Sequence, residues 1–162
     1  MECVICVLIL GIVAMAGIPQ FNGMLCEARL NEAAAALVSA LHYSRSLAVE
    51  YQRPFGLRAD LPGNWLAVFD GRYHNDPDAH PAAVPPVGAN GVVFHPLSKA
   101  LYSEDLDQIY AGVQIAAVPA GSEIRFYPDG HSSAAAGLFV LQLGDQQRMI
   151  SVDGTTGKIK AW

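Results

Sequence analysis

Residues 3–18 read CVICVLILGIVAMAGI, and beyond Pro19 and Gln20 the chain continues over residues 21–51 as FNGMLCEARLNEAAAALVSALHYSRSLAVEY. These two runs decide the fold. The first holds no charged or strongly polar side chain, and the absence of charge persists to Cys26, 24 residues from Cys3 counted inclusively. As an α-helix that length spans roughly 36 Å, enough to cross a hydrocarbon core of about 30 Å. The second run has no proline and one glycine, Gly23. Its Leu30, Ala34, Leu37, Leu41 and Ala48 recur at helical spacings and form one apolar face, while Glu27, Asn31 and Arg45 fall mostly elsewhere. Ala33 to Ala36 are strong helix formers. The expectation is a single helix: 2–26 membrane-spanning, 27–52 amphipathic, and 53–162 a separate β-rich domain. Pro19 should kink it by removing a hydrogen bond and crowding the preceding turn, and Arg53-Pro54 should end it.

Two other readings of the apolar run are weighed. Ala14-Met15-Ala16 has the small-x-small form of a secretory cleavage site, which would make the protein a secreted β-domain. However, no Lys or Arg precedes the run, and Glu2 has the wrong sign for a signal's leading segment. A buried core helix is the third reading, weakened by the absence of a polar face.

Beyond Pro54 the texture is β. Strands are expected at 55–58, 65–69, 92–94, 113–118, 122–127, 137–143, 148–152 and 158–162, separated by turn residues such as Leu61-Pro62-Gly63-Asn64, Pro128-Asp129-Gly130, Gly144-Asp145 and Asp153 to Gly157. Residues 71–90 read as a loop, and 97–110 as a loop with a helical turn. An antiparallel meander under the amphipathic half-helix gives an α+β fold. No internal repeat is visible.

Composition narrows the function classes. The chain is 52 % hydrophobic and 15 % charged with a net charge of −5, against about 25 % charged in an ordinary soluble domain. Global disorder is excluded, and so is a generic nucleic-acid-coating role. The three cysteines, Cys3, Cys6 and Cys26, leave the rest of the chain without a disulfide framework or thiolate metal site. His74, Asp76, Asp78 and His80 alternate in the loop HNDPDAH, but the spacing fits no closed metal motif, and a solvated polar loop is the preferred reading. Ser, His and Asp residues occur without a nucleophile elbow, and there is no phosphate-cradling glycine loop. No catalytic residue, cofactor, metal or small-molecule ligand is expected.

The N-terminal pattern resembles that of type IV pilins and type II secretion pseudopilins. Glu2 precedes CVICVLILGIVAMAGIP, Leu10-Gly11-Ile12 matches the family's helix, and Pro19 stands where the family's kinking proline stands. Leu30, Ala33, Ala34, Leu37, Val38, Ala40, Leu41, Ser44, Arg45 and Ala48 resemble the second half-helix of the GspH/FimT branch. Phe126-x-Pro128-Asp129-Gly130 and Ile150-x-Val152-Asp153-x-x-x-Gly157-Lys158-Ile159 resemble that branch's C-terminal β region. The chain departs from the family before Glu2, where no Gly-aromatic leader site occurs, and the true start is expected upstream.

The resemblance implies a minor pseudopilin of a type II secretion pseudopilus, anchored by one pass in the bacterial inner membrane with its β-domain in the periplasm. A type IV pilus minor pilin is the alternative. Implied partners are other pseudopilins, the inner-membrane assembly platform and lipid, with residues 71–90 as the partner-specific surface. Glu2 and Pro19 are implied as assembly residues, Glu2 facing a neighbouring subunit's N-terminal amine; leader processing and N-methylation are also implied. Gly157-Lys158-Ile159-Lys160 is similar to a DNA-contacting end of some FimT-type pilins. Lysine lacks the bidentate fork of arginine, so nucleic acid is not expected as a partner, and lysines guarding an edge strand are the preferred reading of Lys158 and Lys160.

Overall fold

The computed structural model describes residues 2–71, 93–133 and 136–162, the side chains of residues 2–22 and of Ala136 excepted. Its first element, α1, runs from Glu2 to Glu50 as 49 residues of helix assigned without a break across Pro19. Leu30, Ala33, Ala34, Leu37, Ala40, Leu41, Ser44, Leu47 and Ala48 form its buried stripe. The five residues of the expected face are all there, and Ala33, Ala40, Ser44 and Leu47 widen it. Each buried leucine contributes about 1.5–3 kcal/mol, and the alanines let the sheet backbones come close. The helix closes with Tyr51 N–H on Leu47 O at 2.9 Å and Arg53 N–H on Ala48 O at 3.3 Å, around Gln52 at a φ of +51°. Pro54 then forbids a further turn.

Two four-stranded antiparallel sheets pack on that stripe. Their strands are β1 (Phe55–Asp60), β2 (Trp65–Asp70), β3 (Ser103–Asp105), β4 (Gln114–Ala117), β5 (Glu123–Phe126), β6 (Ala136–Leu143), β7 (Gln146–Asp153) and β8 (Ile159–Ala161), with the short helix α2 (Leu106–Ile109) after β3. Sheet one has the order β3-β2-β1-β5 and sheet two the order β4-β6-β7-β8. Alternation along the strands sends Phe55, Leu57, Ala59, Ile124 and Phe126 of sheet one, and Phe139, Leu141, Ile150 and Val152 of sheet two, into one core with α1.

The strands do not all pair in chain order. Strand β5 pairs with β1, Phe55 opposite Phe126 and Leu57 opposite Ile124, so the chain crosses from sheet one to sheet two between β5 and β6. Of the strand expected at 92–94, the described residues 93 and 94 form no strand. Phe94 makes one isolated bridge with Leu101, because the segment reverses at once. Leu97 and Ser98 N–H groups both donate to the His95 ring at 3.2 Å, and Lys99 takes a φ of +59°. Residue 92 and most of the expected loop 71–90 lie outside the described residues.

Asn64 joins the two sheets. It sits in the β1–β2 turn at a φ of +49°, a conformation asparagine tolerates better than most residues. Its side chain is buried and fully engaged. Nδ2 donates to Val113 O at 2.8 Å and to Asp107 Oδ1 at 2.9 Å, and Oδ1 accepts from Ile115 N–H at 2.9 Å. Leu106 N–H closes on Asn64 O at 3.0 Å. One turn residue of sheet one thereby holds both α2 and the start of β4. Asn64→Ala should cost about 2–4 kcal/mol, since it leaves buried backbone groups of Val113 and Ile115 without partners; chemical denaturation measures the loss.

Candidate assembly and contact surfaces

Three arginines fasten the β layers to the helix at different heights. Arg148 of β7 donates through Nε to Asn31 Oδ1 at 2.8 Å and through Nη2 to Glu27 Oε1 at 3.2 Å. Arg45 donates to Thr156 O at 3.2 Å. Arg53, just past the helix, lies 2.8 Å from the buried Asp70 carboxylate, its guanidinium over the rings of Tyr51 and Phe55 at 5.4 and 5.2 Å. The aromatic faces and the carboxylate together stabilise a cation that the helix end would otherwise leave half-desolvated.

Under Arg45 the two C-terminal turns meet. In the first, Gly130 N–H closes on Tyr127 O at 2.8 Å; in the second, Asp153 Oδ1 accepts from Thr156 N–H at 2.8 Å and Thr156 Oγ1 at 2.7 Å. Hydrogen bonds from Thr156 hold the Asp153 carboxyl below the usual carboxylate range. Ser132 N–H donates to Gly154 O at 2.9 Å and ties the turns together. Gly157 has a φ of +61°, and a Cβ there would strike the carbonyl oxygen of Gly130. The spaced residues from Phe126 to Gly130 and from Asp153 to Gly157 are therefore one structural joint.

The opposite side of α1 is open. Met24, Ala28, Ala35, Ser39, His42, Ser46 and Val49 are exposed along one line, which the exposed Glu32 interrupts between Ala28 and Ala35. Met24 is 69 % and Val49 46 % exposed. Apart from Glu32 the line holds no carboxylate, lysine or arginine, and most of its residues are small.

A second polar feature lies at sheet one's edge. Tyr102 stacks on Tyr43 with centroids 5.5 Å apart and meets the His95 ring at a tilt, its centroid 4.8 Å away. Burial, aided by the neighbouring Glu104 carboxylate, pushes the Tyr102 hydroxyl up to about 12. Burial likewise raises Glu104, against the opposing pull of His95.

Glu2 and Pro19 lie in α1, and their side chains fall outside the description. The HNDPDAH segment lies wholly outside the described residues, which hold no group of metal-ligating side chains. Among the described residues no helix is long and apolar enough to cross a membrane. Lys158 sits just before β8 and Lys160 within it, both exposed, so the structure brings them onto one face as the spacing implied. Sequence reasoning missed Asn64, Arg53 with Asp70, and the exposed line on α1. The last was legible in the spacing of the small residues between the buried positions.

Two outcomes are expected. Gly157→Ala should cost about 1–3 kcal/mol in chemical denaturation, through strain at positive φ and collision with Gly130. Glu104→Gln should stabilise the fold at neutral pH and change little in acid. The folded-state pKa of Glu104 is raised, so its ionisation costs stability as pH rises from below the unfolded value through the folded one. Thermal midpoints of variant and wild type, compared at about pH 3 and about pH 7, should diverge only at the higher pH.

The fold has known counterparts. FimU, a type IV minor pilin of Pseudomonas aeruginosa, superposes with a TM-score of 0.55 at 20 % identity, covering 84 % of this chain and 90 % of that one. EpsH, a minor pseudopilin of the Vibrio cholerae type 2 secretion system, does so with a TM-score of 0.55 at 13 % identity, covering 83 % and 96 %. Comparison with curated protein sequences gives no match. The family model described as type II transport protein GspH matches residues 33–156. That span takes in most of the helix stripe, sheet one, strands β4, β6 and β7 of sheet two and most of the joint under Arg45, and the chain belongs to the GspH family.

Proposed function

We propose that the protein is a minor pseudopilin, a structural subunit of the type II secretion pseudopilus, with no catalytic role. The observation that carries this reading is the two-faced second half of α1. One face is buried under both sheets, and the other carries an exposed line of mostly small residues that is free of carboxylates, lysines and arginines from Ala35 to Val49 and faces outward, where a neighbouring helix would lie. Small side chains allow helix axes to approach to about 8–10 Å, and such a line spares the cost of burying charge. The GspH family match and the fold shared with EpsH support it.

In this reading residues 2–26 span the inner membrane once, 27–52 form the packing half of the helix, and 53–162 form the periplasmic domain. Other pseudopilins, the assembly platform and lipid are the partners, and residues 71–90 give the partner-specific surface. Glu2 meets the N-terminal amine of the subunit beside it, since a carboxylate in lipid needs an opposite charge. Pro19, within the span, removes one helical hydrogen bond and lets the helix bend there. The fold shared with FimU supports a second reading, a minor pilin of a type IV pilus; a secretion assay and a pilus assay on the same deletion strain separate the two.

The test combines variants and crosslinking. Glu2→Ala should reduce crosslinks to other pseudopilins while leaving membrane fractionation unchanged, because the uncharged run remains. Ala35→Arg with Ser46→Arg should abolish the crosslinks with at most about 0.5 kcal/mol change in fold stability, both sites being exposed. Full crosslinking by the double arginine variant would remove the helix face from the assembly surface.

A further inference from the structure

The outer face of sheet two carries an apolar row that the fold leaves uncovered. Met149 and Trp162 lie side by side, exchanging backbone hydrogen bonds at 3.0 Å, and Val140 is opposite Met149 on the other flank. Leu138 and Lys160 flank Ser151 in the next row. Trp162 is 56 % exposed, Leu138 41 % and Met149 39 %. Lys158 and Lys160 stand on this same face, and with Ser151, Asp153, Thr156 and Trp162 they line a shallow recess.

Among the described residues the edge beside this face has no further strand. Strand β8 ends the order of sheet two. Asp153 N–H donates to Lys158 O at 2.9 Å, and Trp162 pairs with Met149. In an antiparallel ladder such pairs alternate with residues whose backbone groups face the other way. The N–H and C=O groups of Ile159 and Ala161 therefore point to the open edge, where a further strand finds them.

Charge decides which strand fits. A second copy adding β8 to β8 would bring Lys158 and Lys160 of both chains onto one face, and like charges directly opposite are destabilising. An incoming strand with carboxylates at alternate positions would instead set them beside Lys158 and Lys160. An apolar side chain two positions further would lie on Trp162 and Met149. Because the whole chain carries a net charge of −5, this attraction is local to the edge.

We infer that β8 is a docking edge for an extended acidic and apolar segment of another protein, which adds to sheet two as a fifth strand. The segment's carboxylates pair with Lys158 and Lys160, and its apolar residue packs on Trp162. The inference goes beyond the filament role and stands apart from it, since a free peptide reports it with no filament present.

The experiment uses the full chain in nonionic detergent and a fluorescein-labelled, end-blocked peptide of alternating aspartate and valine closing on phenylalanine, followed by anisotropy. Binding should be at least about tenfold tighter than for the same peptide with lysine in place of aspartate. A central proline in the peptide should abolish it by removing an edge hydrogen bond. Lys158→Glu with Lys160→Glu, surface changes that leave the fold intact, should reverse the preference between the two peptides. Equal affinity for both peptides, undiminished binding of the proline peptide, or an unchanged preference in the double variant would each overturn the inference. So would a short single-stranded DNA oligonucleotide that binds the edge more tightly than the acidic peptide.

Discussion

The burial of one stripe of α1 is the constraint on which the rest of the structure depends. Neither sheet has an inner face that closes on itself; each sends its large side chains toward Leu37, Leu41, Leu47 and their neighbours. The helix is thus the common wall of a core that the two sheets share. Its alanines set how near the strands come, and its leucines supply most of the apolar area on its side. The polar joints follow from that arrangement. Once two sheets lean on one helix, their turns converge at its C-terminal half, and Arg45 and Asn64 occupy the places where turn backbones from different sheets meet.

That arrangement also divides the helix by function. A helix packed on one side only leaves its other side available, and in this chain the midline of that side is free of charged side chains from Ala35 to Val49. A solitary domain gains nothing from such a surface, whereas a subunit stacked beside copies of similar helices does.

Much of this was legible in the sequence where a single period governs. The stripe from Leu30 to Ala48 follows the helical repeat, and the hairpins around Gly63, Gly144 and Gly154 announce themselves by turn chemistry. The pairing of β5 with β1 was not legible, because nothing local in Glu123 to Phe126 names a partner that far back in the chain. The segment at 92–94 misled because Val and Phe favour extended backbone, while the turn made by His95 to Lys99 reverses the chain before a ladder can form. Asn64 reads as an ordinary turn residue, and only the tertiary structure reveals the four groups it serves. The pair of lysines on one face was foreseeable from their two-residue spacing, but the apolar row beside them required the register of three strands.

The three arginine fastenings have a mechanical consequence. Glu27 with Asn31, then Arg45, then Arg53 are spread along the helix axis, and each ties it to a different part of the β layers. The Arg148 and Arg45 contacts, being partly exposed, are weak alone, and the Arg53 pair with the buried Asp70 is the firmest of the three. A tension directed along the axis, however, strains all of them in shear together, and the core stripe with them. Peeling the helix away from one end would break them in sequence at much lower force. The domain is therefore stiffest against a pull in the direction in which its helix points.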